Sequence, residues 1–160
     1  MALRGSCRCG GIRFEIDGPL MGVGNCHCTT CRKAQGAAFR TRARVRRADF
    51  RWLAGQELLH SSESTPGFHR GFCRTCGAPV VNWNSADSEY GRRNPATLET
   101  YGIAVATLDD DPGVTPGFHA FVAFKAPWFT ITDDLPQFPG FPEESVTVRA
   151  DASPNQAESL

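Results

Sequence analysis

The side chains in this sequence best suited to chemistry are its seven cysteines, which fall into three groups. Cys7-Arg8-Cys9-Gly10 is one pair, and Cys73-Arg74-Thr75-Cys76-Gly77 is a second. Cys26-His27-Cys28-Thr29-Thr30-Cys31 places three cysteines within six residues. Thiolates at such spacings are ligands for zinc. Structural zinc is held by four protein ligands, whereas catalytic zinc takes three and keeps a position for water or substrate. Two pairs suit a closed four-thiolate site of Cys7, Cys9, Cys73 and Cys76. The triplet Cys26, Cys28 and Cys31 suits a site with a position left over. Two Zn2+ ions per chain are therefore expected, one for folding and one for chemistry.

Each pair is followed by glycine, which lets the backbone reverse sharply beside the ion. In extended chain, residues two apart face the same side, so Cys-x-Cys converges much as a Cys-x-x-Cys turn does. About 64 residues separate the two pairs, so a shared ion would tie the N-terminal segment to the middle of the chain. Such binding contributes on the order of 10 kcal/mol to folding in small zinc peptides. If Cys26 and Cys28 face inward, His27 faces away. The alternative for the triplet is a second closed site, with a fourth ligand from His60, His69 or His119. Three thiolates around a dication make an electron-rich centre that activates water poorly but accepts soft sulfur readily. A thiol delivered there gives up its proton, and a thiolate is the form that attacks a carbonyl. This chemistry calls for a thiol and an electrophile. Disulfides fit the pattern poorly. Their number would strand one thiol, and a bridge between Cys7 and Cys9 would be strained.

These cysteines need a scaffold. The 160 residues, 41% of them hydrophobic, are enough for one domain with a real core. Formal net charge is zero, so there is no global attraction to nucleic acid or membrane, and neither partner is expected. No apolar run approaches the roughly 20 residues of a membrane span. Met1 to Gly5 lacks the apolar centre of a signal peptide. Cysteine clusters then read as metal ligands in the reducing cytoplasm. Ile12, Phe14 and Ile16 alternate with Arg13, Glu15 and Asp17, the pattern of a half-buried strand. Phe118 to Phe124 and Trp128 to Thr132 read as paired strands around Lys125-Ala126-Pro127. Ala78 to Trp83, Ile103 to Thr107 and Ser145 to Arg149 are shorter candidates. Helical periodicity is weak, with a short turn of helix over Thr29 to Ala34. Asn84 to Thr100 is polar and reads as a long loop. Short strands punctuated by glycine and proline indicate an all-β fold. Arg40, Arg42, Arg44 and Arg46 lie two apart and share a strand face. Their plain reading is a solvated edge face, and the functional one is a basic wall for an anionic substrate.

Several segments together resemble one family. They are Gly5-Ser6-Cys7-Arg8-Cys9-Gly10-Gly11, Cys26-His27-Cys28-Thr29-Thr30-Cys31-Arg32 and Arg70-Gly71-Phe72-Cys73-Arg74-Thr75-Cys76-Gly77. Leu108-Asp109-Asp110, His119, Lys125-Ala126-Pro127-Trp128 and Asp134-Leu135-Pro136 complete the set. Across roughly residues 3 to 140 the chain resembles the glutathione-dependent formaldehyde-activating (GFA) family. The resemblance implies an Mss4-like β-tent of short antiparallel strands organised around zinc. It implies structural zinc on Cys7, Cys9, Cys73 and Cys76, and catalytic zinc on Cys26, Cys28 and Cys31. The activity implied is a carbon–sulfur lyase or synthase that joins glutathione, or a similar thiol, to formaldehyde or another aldehyde as an S-hydroxymethyl adduct. On this reading residues 1–142 are the GFA-type zinc domain, and 143–160 a C-terminal strand and loose tail. Arg32 is a candidate to bind a substrate carboxylate through its planar fork, against a plain surface charge. His119 is a candidate proton donor, against a structural histidine in a strand. Trp128 and Phe129 read as core aromatics. The other functional readings are a non-catalytic zinc-binding module and a glutathione carrier. Oligomeric state leaves no mark on the sequence.

Overall fold

Phe14 shows how the sequence pattern becomes structure. In the computed structural model, which describes residues 2–142, the alternation around it forms a strand with Ile12, Phe14 and Ile16 buried. Full burial of such a side chain contributes about 1.5–3 kcal/mol. The elements in chain order are β1 (Leu3–Ser6), β2 (Arg13–Ile16), β3 (Met21–Cys26), α1 (Thr29–Gln35), β4 (Arg40–Arg46) and β5 (Phe50–Ala54). Then follow β6 (Leu59–Thr65), β7 (Phe68–Cys73), β8 (Pro79–Asn84), α2 (Glu89–Arg93), β9 (Thr100–Ala104) and β10 (His119–Ala120). Short 3-10 turns fill several connections, and the all-β expectation is met. The strand expected over Ser145 to Arg149 and the tail beyond it lie outside the described residues.

The described residues divide into two compact units, the first from residues 2–19 and 44–112, the second from 20–43 and 113–142. In the first unit, β2 lies between β1 and β5, antiparallel to both. Phe14 stacks on Phe50 with ring centroids 5.0 Å apart, and Phe50 meets Trp52 and Tyr101 edge-on. Strands β6, β7, β8 and β9 follow as an antiparallel run. In the second unit, β10 runs parallel to β3, pairing His119 with Asn25 and Ala120 with Cys26. Buried Val23, Phe118, Ala120 and Ala126 contribute to its core.

Several expected elements differ. Only His119 and Ala120 of the Phe118–Phe124 stretch are strand, and Val122 to Phe124 is a 3-10 turn. Phe121 adopts a left-handed conformation (φ 58°), which breaks extended pairing. Trp128 to Thr132 forms no strand, and Trp128 is 71% exposed rather than core. Asn84 to Thr100 is not simply loop but holds α2 and a 3-10 turn over Pro95–Glu99. Its polar residues are turned inward: Ser88 Oγ donates to Asn84 Oδ1 (3.0 Å), and Asn84 Nδ2 donates to Thr97 Oγ1 (3.2 Å). The arginines of β4 are not a solvated face. Arg40 is buried, and Arg42 lies over the Phe141 ring at 4.4 Å. Arg46 is exposed and pairs with Asp49 at 2.6 Å.

The Leu108-Asp109-Asp110 segment clasps β1. Gly5 bridges to Leu108, Asp109 N donates to Arg4 O (2.8 Å), and Ser6 Oγ donates to Asp109 Oδ1 (2.8 Å). Arg4 donates to Asp110 from its side chain and its backbone, holding that carboxyl down to about 2. The lowered value means that this stabilisation is full above pH 3.8, the ordinary value, and disappears as pH falls through 2. Asp110→Asn should lower the urea midpoint above pH 3.8 and leave it little changed below pH 2, which flattens the acid limb of a midpoint-versus-pH curve over that window. Close packing leaves no room at Gly5. A Cβ there would lie 2.2 Å from the Phe14 ring and 2.8 Å from the Thr107 carbonyl oxygen. Gly5→Ala should therefore cost about 1–3 kcal/mol in equilibrium denaturation, because the carbonyl is backbone and cannot swing aside.

Candidate metal centres

In the first unit, two similar turns deliver four sulfurs to one place. Gly10 N donates to Cys7 O, and Gly77 N to Cys73 O, both at 2.8 Å. The two glycines have φ of 72° and 73°, the left-handed conformation that such a reversal requires. Cys7 N pairs with Ile12 O, and Cys73 N with Ala78 O, so each turn closes a short hairpin. The Sγ atoms of Cys7, Cys9, Cys73 and Cys76 lie within 4.8 Å of one another. Cys7 and Cys9 are 3.5 Å apart, and Cys9 and Cys73 are 3.9 Å apart. Zinc–sulfur bonds of about 2.3 Å place tetrahedral thiolates about 3.8 Å apart, so the donor set fits that ion in chemistry and spacing.

The charges point the same way. The Ala78 N–H draws the Cys76 thiol down to about 6. Burial opposes the Cys7 thiolate, but the Ile12 N–H and neighbouring sulfurs outweigh it and lower its value. Cys9 gains from the Gly11 N–H, yet the Cys7 and Cys76 sulfurs push it up to about 11. Four sulfurs this close cannot all ionise without a cation among them.

In the second unit, Cys26 ends β3, Cys28 caps α1, and Cys31 lies in that helix. Cys28 Sγ accepts the Cys31 N–H at 3.3 Å, so the cap bond holds two of the three sulfurs in register. Their Sγ atoms also lie within 4.8 Å of one another. The Cys28 and Cys31 sulfurs, with burial, push the Cys26 thiol far up. This too is a soft donor set that matches zinc. Among the described residues, no histidine nitrogen or carboxylate oxygen joins either group. The histidines proposed as a fourth ligand are engaged elsewhere. His69 stacks on Trp83 at 5.2 Å, and His60 sits edge-on to Phe72. His119 is buried, with Nδ1 2.7 Å from His27 Nε2 and Nε2 3.0 Å from Asp133.

Arg32, next to Cys31, is half-buried, and its Nε has no hydrogen-bond partner. His27 is fully buried. Burial first, then His119, Lys125 and Arg32, push it down to about 4. Lys125-Ala126-Pro127-Trp128 is a turn: Lys125 Nζ donates to the Ala126 and Phe129 carbonyls, and Phe129 N to Ala126 O. It sets the Phe129 ring 6.0 Å from His27. Sequence reasoning did not find the His27–His119–Asp133 contacts. The three residues are scattered along the chain, and Asp133 belonged to no motif.

The comparisons agree with this architecture. The family model for "Glutathione-dependent formaldehyde-activating enzyme" matches residues 2–123. A Halomonas elongata protein named "Putative glutathione-dependent formaldehyde-activating enzyme" is 28% identical over 155 residues, covering 91% of this chain and 92% of that one. A crystal structure of a Rhodobacter sphaeroides protein superposes with a TM-score of 0.52 at 28% identity, over 68% of this chain and 89% of the other. With its all-β fold and paired cysteine groups, the chain belongs to the glutathione-dependent formaldehyde-activating family.

Metal analysis of the zinc-reconstituted protein should give one ion for each cysteine group. Cys28→Ser should lose one equivalent, and atomic emission spectroscopy checks both counts.

Proposed function

We propose that this protein is a zinc-dependent carbon–sulfur lyase or synthase that adds a thiol, glutathione or similar, to formaldehyde or another aldehyde. One observation carries the reading. Four sulfurs are gathered in the first unit but only three in the second, with no further protein ligand atom in the second group among the described residues. The family assignment supports the same substrate class. Zinc held by three thiolates would supply a position that favours soft sulfur and promotes loss of a thiol proton.

The chain's own residues then bind and orient. Cys26, Cys28 and Cys31 form the ligand set, held by the end of β3 and the first turn of α1. Arg32 is the group proposed to receive a substrate carboxylate, because its buried Nε has no partner within the protein. Phe39 and Phe129, 5.4 Å apart, give the neighbourhood an apolar wall. In the reaction, thiolate sulfur attacks the carbonyl carbon and a C–S bond forms. The C=O π pair moves to oxygen, which takes a proton. Thiols add to formaldehyde without help, so positioning and thiolate formation are what the protein has to contribute. Both ring nitrogens of His119 are engaged within the protein, which favours a positioning role over direct proton donation. Free cysteines throughout suit a reducing compartment, and we assign the protein to the cytoplasm.

The test is a screen of thiols and aldehydes by NMR exchange spectroscopy, with the uncatalysed rate as control. Catalysed exchange with glutathione and formaldehyde is the expected result. No acceleration with any pair would leave a zinc-binding module or thiol carrier. Cys28→Ser should abolish turnover and change stability little, whereas Cys76→Ser should unfold the protein. Equal loss of stability in the two variants would defeat the division of labour between the groups.

A further inference from the structure

Three side chains of the second unit form a chain that the thiol chemistry does not use. The Asp133 carboxylate oxygens lie 3.0 and 3.1 Å from His119 Nε2. His119 Nδ1 lies 2.7 Å from His27 Nε2. The far nitrogen, His27 Nδ1, is closed to solvent and has no hydrogen-bond partner. The two imidazoles are buried, whereas the Asp133 side chain is 50% exposed. Backbone bonds hold all three in place. His27 N donates to Ala120 O, His119 N to Pro136 O, and Leu135 N to Asp133 Oδ1. The Asp134-Leu135-Pro136 motif thus supports the chain at two points.

With both imidazoles neutral, proton counting determines the tautomers. A carboxylate only accepts, so His119 carries its hydrogen on Nε2 and presents a lone pair at Nδ1. The short contact between the two rings needs one hydrogen, which must then come from His27 Nε2. A neutral imidazole has a single N–H, so His27 Nδ1 is a bare acceptor. Leaving a buried acceptor without a donor is costly, and a native structure that keeps one calls for an explanation. His27 stands between Cys26 and Cys28, so this acceptor belongs to a residue adjoining two of the three sulfurs.

We propose that Asp133, acting through His119, is a positioning residue that holds His27 as a hydrogen-bond acceptor for the hydroxyl of the S-hydroxymethyl adduct. This rests on the function proposed above. The aldehyde has no hydrogen on oxygen and gains nothing from an acceptor, whereas the adduct has an O–H to donate. No bond is made or broken at His27. Its Nδ1 is closed to bulk water, and the half-buried Phe129 ring lies beside the imidazole. The contact therefore forms with a bound ligand that displaces neighbouring side chains.

The test uses zinc-loaded, full-length protein with 15N-labelled histidine. Long-range 1H–15N NMR should show His27 bare at Nδ1 and protonated at Nε2. Asp133→Asn offers His119 a donor where only an acceptor stood, so His27 should gain population of the opposite tautomer. A wild-type His27 protonated at Nδ1, or tautomers unmoved by Asp133→Asn, would overturn the proposal. Calorimetry then compares S-(2-hydroxyethyl)glutathione with S-propylglutathione. Wild type should prefer the hydroxyl ligand by roughly tenfold, and Asp133→Asn should lose that preference. Equal affinity for both ligands in wild type would overturn the donor assignment while leaving the proposed function in place. If neither ligand binds, the glutathione reading fails and the hydroxyl assignment fails with it.

Discussion

Crowding of like-charged sulfur is the constraint on which the rest depends. Four thiols in one unit and three in the other sit too close to ionise together. A bound dication would relieve that conflict and make deprotonation, metal binding and folding one linked event. The backbone is arranged to make this possible. The Ala78 and Ile12 N–H groups aim at sulfur in the first unit, and the Cys31 N–H does so in the second. Main-chain dipoles supply the first part of the stabilisation, and a cation would supply the rest.

The two groups are built by different local devices, which suits different tasks. In the first unit, paired hairpin turns with left-handed glycines bring together cysteines from distant parts of the chain. An ion there would close a long loop and so act as a structural element. In the second unit all three sulfurs come from one strand-to-helix junction. That junction is held by its cap bond and by pairing of β3 with β10, so its geometry would depend less on an ion.

The histidine chain links that junction to the segment after β10. His119 is in register with Asn25, beside the end of β3, and Asp133 reaches its ring from the following segment. The Lys125-to-Trp128 turn places Phe129 against His27. Family motifs without an evident chemical task thus acquire a structural one, namely holding the buried His27 ring in place.

Local spacing determined much of this protein. The cysteine groups, the strand at Phe14, the helical turn after Cys28 and the reversing glycines were all legible because each depends on residues close in sequence. The sequence also marked both sulfur groups, whose Sγ atoms the fold brings together. Tertiary structure decided what depends on distant neighbours. Phe121 left the strand region, Trp128 came to the surface, Arg40 turned into the interior and Arg42 onto an aromatic ring. The polar stretch after Asn84 folded around its own buried hydrogen bonds. His27, His119 and Asp133 met only through the pairing of β10 with β3. No local pattern encodes that meeting, because a hydrogen-bond chain is specified by where backbones cross in space.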